Sequence, residues 1–360
     1  MERINVTKSF LPPQEEYEAY LAKIWKASWL TNNGPLVVEL ETKIKEYLDS
    51  QYFAFLSNGT IAIQIALKAL DLKGEIITTP FSYCATTTSV LWENLEPVFV
   101  DINPEDLNIN ARLIEAAITP NTSAILATHV YGNPCDVELI EEIAKKHDLK
   151  VIYDAAHAFG VKYKGKSLLE YGDVSTCSFH STKVFHTIEG GSIICHDPEL
   201  FEKIKLLRSF GHILDDYYIA GINGKNSEFH AAMGLCNLNH LSGIIEGRKQ
   251  IFRIYDNLLN WQTLEKPTER HQDLEYNFAY YPVIFESAEI TVKVIQALNE
   301  QNIYPRRYFY PSLNKLSYLK THQACPVSED ISSRVLSLPL YPDLEHAIVE
   351  KICSIINSNI

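Results

Sequence analysis

The sequence lacks the features that mark several common classes of protein. Its seven cysteines are scattered, and no two of them form a Cys-x-x-Cys pair. Because disulfide frameworks and structural zinc sites need regularly spaced cysteines, both are disfavoured, and free thiols in a reducing compartment are expected. No Gly-x-Gly-x-x-Gly and no His-Glu-x-x-His segment occurs. The sequence therefore has neither the usual dinucleotide-binding turn nor a zinc-protease helix, and we expect no metal site.

Positive charge and long apolar runs are also scarce. The 360 residues carry a formal net charge of −13, the opposite of the basic surface expected of a general nucleic-acid binder. No apolar run approaches the length of a membrane-spanning helix. The N-terminal residues Met1–Phe10 lack the apolar core of a secretory signal. We therefore expect a cytoplasmic protein that binds neither nucleic acid nor membrane.

What the sequence does contain is an alternation of short apolar runs with helical patterns, from about residue 52 to residue 197. This alternation predicts an α/β fold with a mainly parallel sheet covered by helices on both faces. We assign a large domain with the N-terminal segment to 1–245 and a smaller α+β domain to 246–360, with a long helix after Ser227 between them. Strands of the large domain are predicted at Tyr52–Ser57, Ile76–Thr79, Pro97–Asp101, Ala124–Thr128, Lys150–Asp154, Val174–Phe179 and Ser192–His196.

Polar residues follow several of these strands, where open parallel sheets bind their ligands. Ser57–Thr60 joins a strand to a helix, so the backbone near Gly59 and Thr60 suits a phosphate. A plain capped turn is the alternative. Phe81–Tyr83 follows another strand, and an aromatic ring there either packs in the core or stacks on a flat cofactor.

Asp154 and Lys183 follow two further strands. A buried acid is costly unless paired, so Asp154 could bind a metal, orient a histidine such as His157, or pair with a protonated heterocycle. A lysine between two apolar strands is unusual, and burial or neighbouring cations would lower its pKa and free its amine for Schiff-base chemistry. Ser178 offers a hydroxyl to a phosphate. A solvated lysine and a satisfied core histidine are the alternatives.

Taken in order, these segments resemble the DegT/DnrJ-type sugar aminotransferases, pyridoxal 5'-phosphate (PLP) enzymes of the aspartate-aminotransferase fold (fold type I). The resemblance covers nearly the whole chain, and several ordered motifs at matching separations are more specific than any one of them. The motifs are Ser28–Pro35, Asn58–Thr60, Pro97–Asp101, Tyr131–Pro134, Asp154–Ala158, Ser178–Lys183, Glu189–Gly191, Ser227–Glu228 and Ser337–Pro339.

The resemblance implies roles at a cofactor site. Lys183 would hold PLP covalently and carry the proton between cofactor and substrate carbons. Asp154 would pair with the pyridine nitrogen, which keeps the ring an electron sink. The other implied contacts are Gly59, Thr60 and Ser178 at the phosphate, Tyr83 on the ring, His157 close by, and Asn223 reaching the phosphate from a partner subunit. A homodimer with shared active sites is therefore expected.

The resemblance also implies transfer of an amino group, commonly from L-glutamate, to a keto sugar carried by a nucleotide. Phe179–Lys183 has the Phe-His-x-x-Lys form often found with 4-keto acceptors, whereas Phe-Tyr-Pro-x-Lys is often found with 3-keto acceptors. We therefore expect dTDP-4-keto-6-deoxyglucose as the acceptor, in the synthesis of a bacterial surface polysaccharide such as O-antigen. His186 and Lys225 stand where many members have asparagine and arginine. The implied substrate contacts are Thr31, Asn33, His180, His186, Arg307, Tyr308 and Tyr310.

Several alternatives stay open at this point. The acceptor could be a 3-keto sugar nucleotide, which a test with isomeric acceptors would separate. A non-catalytic regulator that binds PLP or a nucleotide sugar would be expected to lose the lysine or the acid, and both are present. A dehydratase of the same fold has histidine in place of the lysine, so Lys183 disfavours it. A metal-dependent hydrolase would need histidine ligand spacings that the sequence lacks.

Overall fold

The computed structural model describes residues 3–267, 273–320 and 322–360. Met1 and Glu2, the start of the predicted large domain, therefore lie outside the described residues. The helices are α1 Gln14–Ala27, α2 Pro35–Leu48, α3 Gly59–Ala69, α4 Cys84–Trp92, α5 Ala111–Ile114, α6 Val137–His147, α7 Pro198–Leu207, α8 Glu228–Leu258, α9 Ala288–Asn299, α10 Pro326–Arg334 and α11 His346–Asn357.

The strands are short, with two to seven residues each. They are β1 Ile4–Asn5, β2 Tyr52–Leu56, β3 Glu75–Thr78, β4 Glu96–Phe99, β5 Thr122–Thr128, β6 Lys150–Asp154, β7 Lys162–Tyr163, β8 Lys166–Ser167, β9 Val174–Ser178, β10 Gly191–Cys195, β11 His212–Ile213, β12 Asp216–Tyr217, β13 Leu274–Glu275, β14 Tyr281–Ile284, β15 Ile303–Tyr304 and β16 Val335–Leu338.

The main sheet has seven strands in the order β2-β10-β9-β6-β5-β3-β4. β6 pairs in parallel with β5 and β9, and β3 pairs in parallel with β4 and β5. β10 runs antiparallel to both of its neighbours, β2 and β9. The mainly parallel sheet is therefore confirmed, and the predicted strands within it agree with the structure to within about two residues.

Helices cover both faces of this sheet because its strands are apolar on both sides. In β6, Val151 and Tyr153 belong to one core cluster and Ile152 to another. The first cluster contains buried side chains of α2, α6 and α8, and the second contains those of α3 and α7. Each fully buried aliphatic side chain of this kind stabilises the fold by about 1.5–3 kcal/mol.

The amphipathic helix α6 shows how the sequence specifies one of these covering elements. Val137, Ile140 and Ile143 are buried at three-residue spacing, which places them on one helical face. The side chain of Asp136 caps the start by accepting a hydrogen bond from the Leu139 N–H at 3.2 Å. Asp148 ends the helix in the left-handed conformation. The amphipathic pattern of the sequence predicts a helix over Val137–His147, and these bounds are confirmed.

A smaller α+β layer follows the long helix α8. Ile251, Phe252 and Tyr255, in the second half of α8, share a core cluster with buried residues of β14, β16, α9 and α11. α8 runs unbroken through residues 245 and 246, so the division proposed there stays a prediction. β1 pairs in parallel with β15, which joins the N-terminal segment to the C-terminal part of the chain.

Residues 160–167 read Gly-Val-Lys-Tyr-Lys-Gly-Lys-Ser, which matches the letters of a Walker A phosphate-binding segment. In the structure these residues form the antiparallel hairpin of β7 and β8, with Gly165 in its turn at φ +75°. A Walker A loop needs a helix directly after the lysine. The match is therefore one of letters only, and it builds no nucleotide cradle.

The described residues contain no helix that is both long enough and apolar enough to cross a membrane. Within the same residues, no three His, Cys, Asp or Glu side chains come together in a group that could hold a metal ion.

Candidate active site

A cavity of about 260 Å³ opens at the carboxyl ends of the central strands. Segments that follow β2, β3, β6 and β9 form most of its wall, and residues 280, 306, 308 and 309 close it from the C-terminal part. Nine of the residues predicted for the site line this cavity: Gly59, Thr60, Tyr83, Asp154, His157, Ser178, His180, Lys183 and Tyr308. The topology thus brings most of the predicted site into one place.

The N-terminus of α3 forms one end of the cavity. Asn58 caps the helix by accepting the Ile61 N–H at 2.8 Å. The N–H groups of Gly59 and Thr60 precede the first intrahelical hydrogen bond, and both residues line the cavity. A Cβ on Gly59 would lie 2.9 Å from the Cβ of Ser178, so only glycine allows this close approach. These donors, with the positive end of the helix dipole, suit a phosphate group.

Lys183 lies in the turn after β9, where its own N–H donates to the His180 carbonyl at 2.9 Å. Its Nζ donates to the Tyr280 hydroxyl at 3.3 Å. Burial lowers the pKa of Lys183, but the oxygens of Tyr280 and Asp154 raise it, and the net change is upward. The lowered pKa expected from the sequence is therefore wrong for the protein without cofactor, because acceptor oxygens surround the amine.

Asp154 ends β6 and is 6% exposed. Its Oδ2 accepts the Thr86 hydroxyl at 2.7 Å, and its Oδ1 accepts the Ala156 N–H at 3.1 Å. Burial raises the pKa of Asp154, while the hydrogen bonds from Thr86 and Ala156 and the charge of Lys183 oppose that rise. A buried carboxylate that lines a cavity favours a cationic partner there.

His157 is a buried neutral imidazole beside Lys183. Its Nδ1 accepts the Tyr131 N–H at 3.2 Å, so in the neutral ring the proton is on Nε2. Burial lowers the pKa of His157 well below its usual value, and the charge of Lys183 acts in the same direction. The ring stacks on Phe309, with centroids 5.5 Å apart, and meets Tyr280 edge-on at 4.8 Å. His157 is therefore a neutral ring that accepts through Nδ1 and can donate through Nε2, rather than a cation.

His180 lies at the mouth of the cavity with a second acid. Its Nδ1 is 2.8 Å from the Thr182 hydroxyl and accepts the Thr182 N–H at 3.3 Å. Its Nε2 is 3.6 Å from the carboxylate of Glu189. These contacts fix the imidazole plane with one edge held by Thr182 and the other facing Glu189.

His186 does not reach the cavity, although it was predicted as a substrate contact. It is 2% exposed, and its Nε2 lies 2.7 Å from the carbonyl oxygen of Phe10. Its Nδ1 accepts the Ile188 N–H at 3.2 Å, so the proton is on Nε2 and donates to Phe10. The residue ties the N-terminal segment to the core.

Five other predicted contacts also lie away from the cavity wall. The guanidinium of Arg307 covers the ring of Tyr310 at 3.4 Å, and its Nη2 donates to the Ser333 carbonyl. Its neighbour Arg306 lines the cavity instead. The remaining three, Thr31, Asn33 and Asn223, lie in loops near or at the surface.

Sequence reasoning missed three groups that complete the site. Tyr280 holds the lysine amine, Phe309 stacks on His157, and Arg306 adds a cation to the lining. Thr86, behind Asp154, was missed as well. No local motif marks Thr86 or Tyr280, whereas Arg306 and Phe309 directly adjoin the predicted contacts Arg307 and Tyr308.

A mainly parallel seven-stranded sheet with a half-buried lysine and a buried acid at its carboxyl edge is the arrangement of the aspartate-aminotransferase fold. The profile of the DegT/DnrJ/EryC1/StrS aminotransferase family matches residues 13–357, and the chain belongs to this family. The fold class and the family inferred from the sequence are thereby confirmed.

Individual relatives agree with this assignment. The chain is 45% identical over 359 residues to the dTDP-4-amino-4,6-dideoxy-D-glucose transaminase of Shigella dysenteriae, covering 98% of both chains. It is 41% identical over 363 residues to the Escherichia coli protein of the same name, again covering 98% of both. Among solved structures, DesI with its TDP-sugar product superposes with a TM-score of 0.94 at 28% identity, covering 99% of this chain and 93% of DesI.

Proposed function

We propose that this protein is a PLP-dependent aminotransferase that moves an amino group from L-glutamate to dTDP-4-keto-6-deoxyglucose, giving dTDP-4-amino-4,6-dideoxyglucose. The observation that carries the proposal is one cavity that combines the amine of Lys183, the carboxylate of Asp154 and the N-terminus of α3. The choice of sugar is supported by the two relatives named for that product. Such a product would serve the synthesis of a bacterial surface polysaccharide in the cytoplasm.

The donor set of the cavity fits PLP in three respects. The N–H groups at Gly59 and Thr60, with the hydroxyl of Ser178, suit its phosphate. Asp154 offers a carboxylate to a protonated ring nitrogen, and Lys183 offers the amine for covalent attachment. When bound, PLP supplies an electron sink for the electron pair left when a proton leaves the substrate carbon.

The chain's own residues then position the reacting groups. The Tyr280 hydroxyl accepts a hydrogen bond from Nζ of Lys183, and this amine would be the base that moves a proton at the substrate carbon. His157 presents its Nε2–H as a fixed donor, and Tyr83, which is 53% exposed, is available to cover the ring of the cofactor. Arg306 gives the lining a cation suited to a carboxylate or a diphosphate.

The cofactor and its point of attachment are tested together. Purified protein should be yellow with PLP, and borohydride should fix the cofactor to the peptide that contains Lys183. Lys183→Ala should abolish transamination while leaving the circular-dichroism spectrum unchanged. Lys166→Ala removes an exposed lysine and should behave like the wild type. A colourless protein that takes up no added PLP would refute the proposal.

The acceptor is tested with glutamate and a panel of 3-keto and 4-keto sugars linked to dTDP or UDP. The highest kcat/KM is expected for dTDP-4-keto-6-deoxyglucose, since the relatives and the Phe179–Lys183 segment favour a 4-keto acceptor. A higher kcat/KM for a 3-keto isomer would refute this acceptor and support a 3-keto sugar nucleotide instead. Binding of PLP and sugar nucleotide without turnover would instead indicate a regulator.

We also propose a homodimer with shared active sites. The hairpin of β11 and β12 exposes large apolar side chains, with Leu214 87% and Tyr217 78% exposed. Asn223 forms a bridge with Ser209 beside this hairpin and does not line the cavity of its own chain. A second copy covering the apolar hairpin would bring Asn223 into the subunit interface, where the family resemblance implies a contact with the partner's phosphate.

A further inference from the structure

Behind Asp154 lies a chain of three hydroxyl groups. Thr128 Oγ1 donates to Ser82 Oγ at 3.0 Å, Ser82 Oγ lies 2.7 Å from Thr86 Oγ1, and Thr86 Oγ1 donates to Asp154 Oδ2 at 2.7 Å. The three side chains come from the end of β5, the turn after β3 and the first turn of α4. All three are at most 1% exposed, so bulk water does not compete for their hydrogen bonds.

The chain has one direction when Asp154 is ionised. A carboxylate only accepts, so the proton of Thr86 must point at Asp154. Thr86 then has no proton left for Ser82, so the proton of Ser82 must point at Thr86. By the same reasoning Thr128 donates to Ser82. Each hydroxyl donates its single proton to the next oxygen, so all three O–H dipoles point toward the Asp154 carboxylate.

We propose that Thr128, Ser82 and Thr86 form a directed hydroxyl relay that orients the Asp154 carboxylate and stabilises it as an anion. The proposal rests on the proposed function, because the relay would act through the pairing of Asp154 with the ring nitrogen of PLP. Thr86 is the positioning residue in direct contact, and Ser82 and Thr128 act through it.

The geometry explains why such a relay is useful at this place. Asp154 and Thr128 are register partners in the parallel pair β5–β6, so the first and last members of the relay are held by the same ladder. Thr86 and the Ala156 N–H occupy one lone pair on each carboxylate oxygen. The remaining lone pairs of Asp154, which lines the cavity, are then available to a cation in it. Charge-assisted hydrogen bonds of this kind also polarise one another.

Thr86→Val removes the donor with little change of shape, and the chain contains a matched control. Thr87 is the next residue of α4, is also fully buried, and its hydroxyl has no hydrogen-bond partner within the described structure. With PLP added, Thr86→Val should weaken PLP binding and lower kcat by about 10- to 100-fold, the usual effect of losing a hydrogen bond to a charged group. Thr87→Val should stay within about two-fold of the wild type in both measurements.

A spectroscopic reading separates positioning from general damage. The visible absorbance of the bound cofactor in Thr86→Val should shift toward that of Asp154→Asn, since both changes weaken protonation of the ring nitrogen. Thr86→Ser keeps the hydroxyl and should restore the wild-type spectrum and PLP affinity. Ser82→Ala should give a smaller shift in the same direction, which tests the relay even if Thr86→Val folds poorly.

The outcomes distinguish this proposal from the function on which it rests. If the wild type takes up PLP at Lys183 and Thr86→Val matches Thr87→Val in affinity, spectrum and kcat, the relay is refuted and the proposed function stands. If Thr86→Ser fails to restore the spectrum, the hydroxyl is not the active group and the relay is again refuted. If the wild type takes up no PLP, both proposals fail.

Discussion

At the scale of single residues, two buried imidazoles close to the site, those of His129 and His157, are kept neutral by the fold. Burial lowers the pKa of His129 to about 3, and its ring stacks on Tyr153 with centroids 4.4 Å apart. Its Nδ1 accepts the Cys135 N–H at 3.1 Å, just as the Nδ1 of His157 accepts the N–H of Tyr131. Each ring therefore serves as a neutral acceptor for a buried backbone donor. Protonation would remove that acceptor and bury an unpaired charge.

Stability should consequently depend on pH through His129. In the unfolded chain a histidine binds its proton near pH 6.5, whereas in the folded protein it does so only near pH 3. The unfolded state thus binds more protons between these two pH values. The contribution of His129 to the free energy of unfolding is therefore fully present above about pH 6.5 and is lost as pH falls toward 3. Urea unfolding at pH 7.5 and 5.5 should show a loss of up to about 1.4 kcal/mol per pH unit from His129.

The control for this prediction uses two variants. His129→Asn should remove its share of the pH slope while lowering stability at both pH values. His346→Asn changes an exposed histidine and should keep the wild-type slope. Equal slopes for His129→Asn and the wild type would show that His129 titrates normally in the folded protein.

At the scale of secondary structure, helix α2 depends on a cap from a distant helix. The carboxylate of Glu228, the first residue of α8, accepts the N–H groups of Leu36 at 2.8 Å and Val37 at 3.0 Å. It is 2% exposed, and a Cβ on Gly34 would lie 2.6 Å from its Cδ. Glycine at position 34 is thus required by the close approach of the capping acid. This link brings the motifs Ser28–Pro35 and Ser227–Glu228 into direct contact.

Glu228→Ala should therefore destabilise the protein by about 3 kcal/mol, because it leaves two buried N–H groups without an acceptor. The free energy of unfolding, measured with urea at pH 7.5, gives the comparison. Glu246→Ala, an exposed change on the same helix, should lie within about 0.5 kcal/mol of the wild type. A loss below about 1 kcal/mol for Glu228→Ala would mean that water or a nearby side chain replaces the cap.

At the scale of the whole molecule, the cavity uses both parts of the chain, and the proposed dimer would add a third contributor. Tyr280, Arg306 and Tyr308 come from the C-terminal part and face residues at the carboxyl ends of β6 and β9. The core clusters around the first and second halves of α8 remain separate. The site therefore lies where the two packing units meet, a usual place for a ligand cavity.

Shared sites predict complementation between two inactive variants. Lys183→Ala and Asn223→Ala homodimers should each lose most activity. Mixed dimers would contain one site with both wild-type residues, so an equal mixture allowed to exchange subunits should regain about a quarter of the wild-type rate. Mixing Lys183→Ala with Asp154→Asn should restore nothing, since both residues line the same chain's cavity. No recovery in the first mixture would contradict the shared site.

The apolar hairpin gives an independent reading of the same assembly. Leu214→Asp introduces a charge at the most exposed apolar side chain of β11–β12, and it should shift the protein from dimer to monomer in light scattering. Lys164→Asp changes an exposed residue on the other hairpin, β7–β8, and should leave the mass unchanged. If the wild-type protein is monomeric, the homodimer proposal is refuted, whereas the cofactor proposal is unaffected.

The sequence by itself determined the strands, the covering helix α6 and the presence of Lys183 and Asp154 at strand ends. These features depend on local periodicity and on chain direction, which neighbouring residues specify. The tertiary structure alone decided that Tyr280 holds Lys183 across 97 residues of sequence, and that Thr86 holds Asp154 across 68. It also decided that Arg306 rather than Arg307 lines the cavity, and that His186 anchors Phe10. A contact between distant segments produces no periodic pattern in the sequence of either segment. Such a contact exists only once the chain has packed into its tertiary structure.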